Sequence, residues 1–351
     1  MTTLDTAPPK PDAPRLSVSG LRTYFFLDQG VLKAVDGVDF WVGDGEAVGI
    51  IGESGCGKSI TAQSMLQLVR GQGQIVAGEA KLRRKDGSIV DVLAFDSNSP
   101  EMRGVRGDEM SIIFQEPMTS FSPVHTVGSQ IGEVLRLHTQ LQPAEIRMRV
   151  IEMLRKVGIS NPELRIDEYP HQLSGGMRQR AMIAMALICN PQIVIADEPT
   201  TALDVTIQAQ ILDLMRQLQG ELGMSVVYIT HNMAVVAENV SRVYVMYLGR
   251  VVETATTARL FSHPSHPYTE ALLRSIPHPG KPVDRLEVIE GSVPSAIDPP
   301  RRCGFFTRCR KAMPGVCDTA VPAMTKVAEG HYTRCFLNSD EKEAEDEWTR
   351  L

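Results

Sequence analysis

The chain has 351 residues, of which 43% are hydrophobic and 22% charged, and its formal net charge is −6. This composition is typical of a folded globular protein and excludes a largely disordered chain, while the length predicts two or three packed units. No apolar run reaches the roughly 18 residues that a membrane-spanning helix needs, and the acidic balance disfavours a broad nucleic-acid-binding surface.

The first residues, MTTLDTAPPKPDAPR, form a proline-rich stretch without the basic and apolar order of a signal peptide. We therefore expect a flexible lead over 1–15 and a cytoplasmic protein, in which structural disulfides are rare. Short strands follow up to about residue 44, and polar strand-like pieces over 71–110 indicate an antiparallel β subdomain. Over 127–159 apolar residues recur three and four positions apart, which predicts helices.

Three short apolar runs have the composition of buried strands: AVGIIG, QIVIADEP and MSVVYITHN. A predicted helix follows the first run and another connects the other two, and this order predicts a parallel sheet with right-handed crossovers. We therefore expect an α/β fold with a mainly parallel sheet flanked by helices. The last residues, SDEKEAEDEWTRL, predict an acidic, solvated tail over 339–351.

The segment after AVGIIG has the pattern of a phosphate-binding loop. It reads GESGCGKS, follows a predicted strand and opens a predicted helix, which is the context that this motif requires. Backbone N–H groups would surround phosphate oxygens, Lys58 would neutralise the β- and γ-phosphates, and the Ser59 hydroxyl would bind Mg²⁺. For Cys56 we expect a backbone contact and no thiol chemistry. The predicted nucleotide contacts are Gly52, Ser54, Gly55, Cys56, Gly57, Lys58, Ser59 and Ile60.

Two acidic residues end the run IVIADE. A carboxylate at a strand end can hold Mg²⁺, so Asp197 is a candidate magnesium ligand. Glu198 is placed to polarise a water against the γ-phosphate as a general base. His231, after the strand SVVYIT, is a weaker candidate for a contact to the γ-phosphate, since a lone histidine there is more often structural.

The stretch HQLSGGMRQRAMIAMAL contains a second candidate anion site. Ser174, Gly175 and Gly176 stand at a predicted helix start, where backbone donors and the positive helix end favour phosphate. One nucleotide cannot easily use both sites within one subunit. This stretch resembles the signature of the ATP-binding-cassette (ABC) ATPases, LSGGQ, with Met177 at the fifth position. The resemblance implies that two subunits pair head to tail, each ATP lying between one phosphate loop and the partner's signature.

The resemblance covers about residues 16–265 and implies roles for further residues. Gln115 in SIIFQEP matches the Q-loop glutamine, which senses Mg²⁺ and faces the membrane partner. Asp204 in TALD matches the D-loop, and His231 matches the switch histidine. The family fold implies a P-loop ATPase core with an antiparallel β subdomain and a helical subdomain over about 116–185.

An aromatic residue near the start of the cassette stacks on adenine in this family. Tyr24 is the expected residue, with Phe25 and Phe26 as alternatives. The phosphate-loop lysine, the general base and the switch histidine are all present in the chain. The resemblance therefore implies a subunit that hydrolyses ATP.

Beyond the cassette, PYTEALL and the proline-rich run into CGFFTRC resemble the C-terminal extension of ATPase subunits from oligopeptide and dipeptide importers. The same subfamily includes importers of nickel and of some opines or glutathione. The predicted organisation is therefore a cassette over 16–265, a small irregular, Cys-rich extension over 266–338 and the tail.

Four cysteines lie in this extension at the spacing C-x5-C-x7-C-x17-C: Cys303, Cys309, Cys317 and Cys335. In a reducing cytoplasm such a group suggests a metal site before it suggests disulfides. Structural zinc sites favour closer pairs, whereas iron–sulfur clusters accept varied spacings. The extension of some resembling ATPases is associated with a [4Fe-4S] cluster. That cluster is the favoured interpretation, with zinc second and unligated core thiols third.

The resemblance implies an ATPase that uses ATP and Mg²⁺ and is bound peripherally at the cytoplasmic face of the inner membrane. It would work with two permease subunits, a second ATPase subunit (a sister chain or a second copy) and, indirectly, an extracytoplasmic solute-binding protein. The cargo would be dipeptides, oligopeptides or a related small solute, and we expect no nucleic-acid partner. The alternative is a soluble ABC ATPase acting on ribosomes or DNA, which the single cassette and short insert disfavour.

Overall fold

The computed structural model describes residues 14–116, 120–201, 203–275 and 289–339. The predicted lead and acidic tail lie almost wholly outside these ranges. The strands are β1 (Leu16–Leu27), β2 (Gly30–Val42), β3 (Ala47–Ile51), β4 (Gly73–Arg83), β5 (Ile89–Asp91), β6 (Met110–Ile113), β7 (Ile193–Asp197), β8 (Ser225–Thr230), β9 (Arg242–Tyr247), β10 (Arg250–Thr256), β11 (Thr325–Ala328) and β12 (His331–Thr333). The helices are α1 (Lys58–Met65), α2 (Pro100–Val105), α3 (Val127–His138), α4 (Pro143–Lys156), α5 (Pro162–Arg165), α6 (Gly175–Leu187), α7 (Val205–Leu222), α8 (Met233–Asn239), α9 (Thr257–Ser262) and α10 (Pro267–Arg274).

The helices begin and end at local sequence signals. Thr126 precedes α3 and its hydroxyl accepts a hydrogen bond from the Ser129 N–H, which caps the helix. Pro143 occupies the first position of α4, where the missing N–H costs nothing. Gly223 ends α7 with a φ of 65°, the left-handed conformation that favours glycine. Among the described helices, none is both long enough and apolar enough to cross a membrane.

The described chain forms two compact units, of which the first comprises 14–41, 48–80, 230–275 and 289–339. In this unit β3 is parallel to β9, and β10 is antiparallel to both β9 and β12. β11 pairs antiparallel with β12, and β1 lies between β2 and β4 in a smaller sheet. The extension is therefore less irregular than the sequence predicts, because it contributes two strands to a sheet edge.

The second unit comprises 42–47, 81–116, 120–201 and 203–229. Here β7 lies between β6 and β8 and is parallel to both. Every residue of β7 is buried, as expected for a central strand of a parallel sheet. The predicted helical subdomain corresponds to α3, α4, α5 and most of α6. These parallel strands and flanking helices confirm the predicted α/β class.

A buried carboxylate joins the extension to β10. Glu253 accepts hydrogen bonds from the N–H groups of Ser265 (2.7 Å) and His266 (3.0 Å) and from His331 Nε2 (2.7 Å). Arg259 Nε donates to His331 Nδ1 at 3.1 Å, so Nδ1 carries no proton and Nε2 donates to Glu253. These donors offset the cost of burying the carboxylate. The extension is thus fixed to β10 through His331.

Candidate functional site

The phosphate loop connects β3 to α1, as the sequence predicts. Gly57 has a φ of 101°, and a Cβ there would lie 2.2 Å from the carbonyl oxygen of Ala34. Only glycine can occupy this position, because any side chain would collide with backbone. The helix α1 begins at Lys58, so the first N–H groups of the helix, which cannot bond within it, stand at the end of the loop. The strand–loop–helix geometry of an anion site is therefore present.

Lys58 folds back onto its own loop. Its Nζ donates to the carbonyl oxygens of Gly52 (2.8 Å) and Glu53 (3.0 Å), and its side chain is buried. The thiol of Cys56 is also buried, and burial raises its pKa, so the thiol stays neutral and unreactive. The other predicted contacts lie in the loop or the first turn of α1: Ser54, Gly55, Ser59 and Ile60.

Tyr24 lines a cleft of about 1250 Å³ in the first unit, together with Phe26 and Lys33. The Lys33 ammonium lies 5.5 Å from the centre of the Tyr24 ring. Phe25 points to the other face of β1, where its ring lies beside Gly73, as the alternation of side chains along a strand requires. Tyr24 and Phe26 therefore share the cleft and Phe25 does not.

Asp36 holds the Tyr24 hydroxyl in place. The hydroxyl donates to Asp36 Oδ1 at 2.6 Å, and Arg250 Nη2 donates to Oδ2 at 2.7 Å. Burial alone would raise the pKa of Asp36, but the charge of Arg250 and the Tyr24 hydrogen bond outweigh it and lower that pKa. Sequence reasoning missed this group, because single charged residues on predicted strands look like solvated surface.

In the second unit, two side chains from different segments meet at Glu198. Gln115 Nε2 donates to Glu198 Oε2 at 3.0 Å, and Thr201 Oγ1 donates to the same oxygen at 2.8 Å. Glu198 has a left-handed φ of 47°, and its N–H donates to the carbonyl of Ile229 at 2.8 Å. Such conformations are costly for a non-glycine residue and cluster at functional sites. The two hydrogen bonds fix the orientation of the carboxylate.

Asp197 is the last residue of β7 and its side chain is buried. Because β6 and β7 are parallel neighbours, Gln115 and Asp197 leave the sheet at the same edge. This edge, at the carboxyl ends of the strands, is where α/β sheets bind ligands. His231 directly follows β8 and is exposed.

The candidate signature forms the start of α6. Ser174 is the capping residue, and its Oγ accepts a hydrogen bond from the Met177 N–H at 3.3 Å. Ser174 and Gly175 are exposed, and Gly176 is partly exposed. This helix start therefore presents its remaining N–H donors at the surface of the chain, where a second molecule can reach them.

Two further hydrogen bonds involve residues of the helix that carries the candidate signature and of the D-loop. The buried side chain of Gln179 in α6 donates from Nε2 to the carbonyl oxygen of Pro199 at 2.6 Å, next to the candidate base. Asp204 caps α7, since its Oδ1 accepts a hydrogen bond from the Ile207 N–H at 2.9 Å. The Gln179 contact escaped sequence reasoning because a glutamine inside a helix carries no motif of its own.

The predicted site residues divide between the two units. The first unit contains the phosphate loop, Tyr24 and His231. The second contains Gln115, the signature, Asp197, Glu198 and Asp204. Each unit thus carries its own set of groups suited to phosphate, and the second also carries the candidate base.

The four cysteines of the extension line one small cavity, and all four are free thiols. Burial raises the pKa of Cys303 to about 12 and that of Cys335 to about 11, and the neighbouring thiols add to both shifts. Within the described ranges, no three His, Cys, Asp or Glu side chains converge closely enough to hold one metal ion. The four thiols therefore line the same cavity, but their sulfur atoms do not surround one common position.

Comparisons with known proteins agree with this geometry. Residues 35–201 match the family described as ABC transporter, and residues 252–317 match the oligopeptide/dipeptide transporter C-terminal region. The oligopeptide transport ATP-binding protein AppD of Bacillus subtilis is 50% identical, over 93% of this chain and 97% of that protein. The dipeptide transport ATP-binding protein DppD of the same organism is 44% identical, over 93% of this chain and 96% of that protein.

A solved structure has a similar fold. It is that of the ATP-binding cassette MJ0796, described as the dimeric structure of a post-hydrolysis state bound to ADP and phosphate. The TM-score is 0.60 at 27% sequence identity, and the match covers 69% of this chain and 98% of that one.

Proposed function

The chain belongs to the ABC transporter family, in the branch with the oligopeptide/dipeptide C-terminal region, and on that premise we propose that it is the ATP-hydrolysing subunit of an importer for dipeptides or oligopeptides. The observation that carries the proposal is the near full-length likeness to peptide-transport ATP-binding proteins, which includes the extension. The soluble alternative, an ATPase acting on ribosomes or DNA, is not favoured, since these relatives are named for transport.

ATP would lie on the phosphate loop, with backbone N–H groups and Lys58 against its phosphates. Lys58 would then exchange its bonds to the carbonyls of Gly52 and Glu53 for phosphate oxygens. Tyr24 would stack on the adenine, and its bond to Asp36 would hold the ring in one orientation. This bond reduces the rotational freedom that the tyrosine must lose when the nucleotide binds.

Mg²⁺, when bound, would neutralise charge on the phosphates. Hydroxyl, amide and carboxylate oxygens are ligands that Mg²⁺ prefers, and Ser59, Gln115 and Asp197 would supply them. Asp197 and Gln115 leave the sheet at one edge, which supports this set.

Glu198 would act as the general base. Its carboxylate takes a proton from the water that attacks the γ-phosphorus, while the bond from that phosphorus to the β–γ bridging oxygen breaks and ADP leaves. The hydrogen bonds from Gln115 and Thr201 both hold Oε2 of the carboxylate, so the base is positioned before water arrives. His231 would contact the γ-phosphate.

The exposed start of α6 supports pairing with a second ATPase subunit, either a second copy or a sister chain. Ser174, Gly175 and Gly176 would bind the ATP held by that subunit's phosphate loop. Asp204, exposed at the start of α7, would line the same interface. ATP would therefore close the pair and hydrolysis would reopen it.

Two permease subunits would receive this motion. Their proposed docking surface is the helical part of the second unit, which carries exposed apolar side chains in Val124 and Leu137, both 72% exposed, and in Leu164. Phe114, which directly precedes Gln115, is also exposed. The chain would thus act peripherally at the cytoplasmic face of the inner membrane, and a solute-binding protein would deliver the peptide from outside.

The four thiols would hold a [4Fe-4S] cluster, with zinc as the alternative. All four thiols line one cavity, which supports a single group shared by them, and thiolates are ligands of both iron–sulfur clusters and zinc. The cluster would supply folding free energy to the extension through four iron–thiolate bonds.

The test is reconstitution of the complex purified through this chain from gently solubilised membranes. In liposomes supplied with the solute-binding protein, we expect uptake of a labelled dipeptide or tripeptide that requires ATP. A complex carrying Glu198→Gln should bind ATP and transport nothing. Co-purification of ribosomal proteins without any multi-spanning subunit would overturn the proposal. Uptake of another solute instead of peptides would contradict the assignment of peptides as the cargo.

A further inference from the structure

The extension contacts the phosphate loop at the second residue of the loop, Glu53. Arg308 Nη1 donates to Glu53 Oε2 at 2.6 Å, and Nη2 donates to Oε1 at 2.9 Å. This is the paired fork geometry in which arginine binds carboxylates most strongly and with a defined orientation. The Arg308 side chain is only 4% exposed, against 27% for Glu53, so solvent screens the pair much less than a surface ion pair.

The guanidinium of Arg308 is itself held by its surroundings. Its Nε donates to the carbonyl of Glu290 at 3.0 Å, Nη2 donates to the carbonyl of Gly291 at 3.2 Å, and Nη1 reaches the Tyr247 hydroxyl at 3.3 Å. All three nitrogens are therefore used. The position of the guanidinium is set by the extension and by β9, and Glu53 meets a group that is already in place.

A second residue of the extension holds the backbone of Glu53. The Glu53 N–H donates to the Tyr268 hydroxyl at 2.8 Å. Tyr268 lies in α10, is fully buried, and packs against the rings of Tyr247 (4.7 Å between centroids) and Phe305 (5.3 Å). The hydroxyl is thus fixed by an aromatic cluster that joins the extension to β9.

The third contact of Glu53 leads to the nucleotide site. Its carbonyl oxygen accepts the hydrogen bond from Lys58 Nζ at 3.0 Å. Glu53, whose carbonyl accepts the hydrogen bond from Lys58, therefore has both its N–H and its carboxylate held by the extension. A shift of Arg308 or Tyr268 would move Glu53 and, with it, one of the two carbonyls on which Lys58 rests.

Arg308 stands within the thiol segment, directly before Cys309. That segment is closed on itself, because the Cys303 N–H donates to the Cys317 carbonyl at 3.0 Å. Cys309 directly follows the short turn Phe306–Arg308, so whatever orders this thiol also orders Arg308.

We infer that Arg308 and Tyr268 are positioning residues of the phosphate loop, which act through Glu53 to hold the loop and Lys58 ready for ATP. The thiol segment is then coupled to nucleotide affinity, beyond any part it plays in its own folding. The inference rests on the proposed function only in that the phosphate loop binds ATP.

The inference is tested by binding of a fluorescent ATP analogue with Mg²⁺ to the purified full chain, alongside KM and kcat. Glu53→Gln and Arg308→Met each break the fork, and we expect each to weaken nucleotide binding by roughly 5- to 50-fold, within the usual range of coupling between sites. The double variant should be no weaker than either single variant, because both remove the same link. Most of the loss should fall on KM rather than kcat.

Two further variants separate positioning from simple attachment of the extension. Tyr268→Phe removes only the hydroxyl that accepts the Glu53 N–H and should weaken binding even if Arg308→Met fails to fold. The matched control is Arg310→Met, which removes an arginine that is 65% exposed and pairs with exposed Glu290 in the same segment. This control should bind ATP as the unchanged protein does.

The two possible failures are distinguishable. Unchanged affinity in Glu53→Gln and Tyr268→Phe, with normal ATP binding and hydrolysis by the unchanged protein, would overturn the positioning role and leave the ATPase intact. Absence of ATP binding by the unchanged protein would instead overturn the proposed function. Faster hydrogen exchange over residues 52–59 in Glu53→Gln, with the extension still protected, would be direct support for a loosened loop.

Discussion

Gln115 Nε2 and Glu198 Oε2 are joined by a hydrogen bond of 3.0 Å. The bond connects the segment after β6 with the segment after β7, and the Gln115 segment also carries the exposed Phe114 of the proposed permease surface. A displacement at that surface would therefore reach the candidate base through one side chain. This gives a short physical route by which permease contact and ATP hydrolysis can influence each other.

Replacement of Glu198 by glutamine should remove the general base and keep the shape of the side chain. We expect Glu198→Gln to lower steady-state ATP turnover by roughly 100- to 10,000-fold, the usual contribution of general base catalysis. The affinity for ATP should stay within a few-fold of the unchanged protein, since the phosphate loop is intact. Phosphate release and nucleotide binding measure the two effects separately. Turnover at the unchanged rate would show that Glu198 is not the base.

Thr201 should assist the same carboxylate. Thr201→Val keeps the side-chain volume and removes the hydroxyl that donates to Glu198 Oε2. A hydrogen bond to a charged group contributes about 1.5–3 kcal/mol, of which only part bears on catalysis, so we expect kcat to fall roughly five- to tenfold with KM unchanged. Thr201→Ser retains the hydroxyl and should keep most of the activity. Equal losses in both variants would contradict a role for the hydrogen bond.

The sequence alone predicted the elements whose signals are local. The phosphate loop, the helix start at the signature and the strand ending at Asp197 each combine a short motif with the correct flanking strand or helix, and the structure has them where the motifs lie. The α/β class followed from the order of apolar runs for the same reason.

Contacts between residues distant in sequence could not be predicted. Glu53 and Arg308 are 255 positions apart, and no sequence pattern marks either residue as the partner of the other. The left-handed backbone conformation of Glu198 could not be predicted either, because no pattern around this residue requires it. The two strands of the extension were missed because each is only three or four residues long.

Asp36 should make stability depend on pH in the acid range. Its pKa is lowered in the folded chain by Arg250 and the Tyr24 hydroxyl, with smaller help from Lys33, against the opposing effect of burial; Arg22 also lies 3.8 Å away. Above about pH 4 the carboxylate is charged in both states and its partners stabilise the fold. As pH falls below that value the unfolded chain takes up the proton first, so this stabilisation is lost.

The measurement is the free energy of unfolding of Asp36→Asn and of the unchanged chain at pH 7 and near pH 4 and below. At pH 7 we expect the variant to be less stable by about 1–3 kcal/mol, with the difference narrowing as pH falls. Asp28→Asn, on the exposed turn after β1, is the control and should match the unchanged chain throughout. A difference that grows on acidification would contradict the assigned direction of the shift.

The last prediction concerns the four thiols. Purified without oxygen, the chain should contain about four iron atoms and show the visible absorption of a cluster held by Cys₄. Cys309→Ser should lose both, because three thiolates hold a cluster far less tightly. Cys189→Ser is the matched control, since Cys189 belongs to the second unit and does not line the cavity of the four thiols. The Cys189 thiol is also half-buried, and burial raises its pKa to about 11. Retention of the metal in Cys189→Ser and its loss in Cys309→Ser would show that the metal depends on the cavity thiols and not on the total number of thiols.

One zinc without iron would establish the zinc alternative, and a chain with neither metal would rule out both the cluster and zinc. In that case the extension would depend for its position on contacts that need no metal, among them the Glu253–His331 and Arg308–Glu53 pairs and the pairing of β10 with β12.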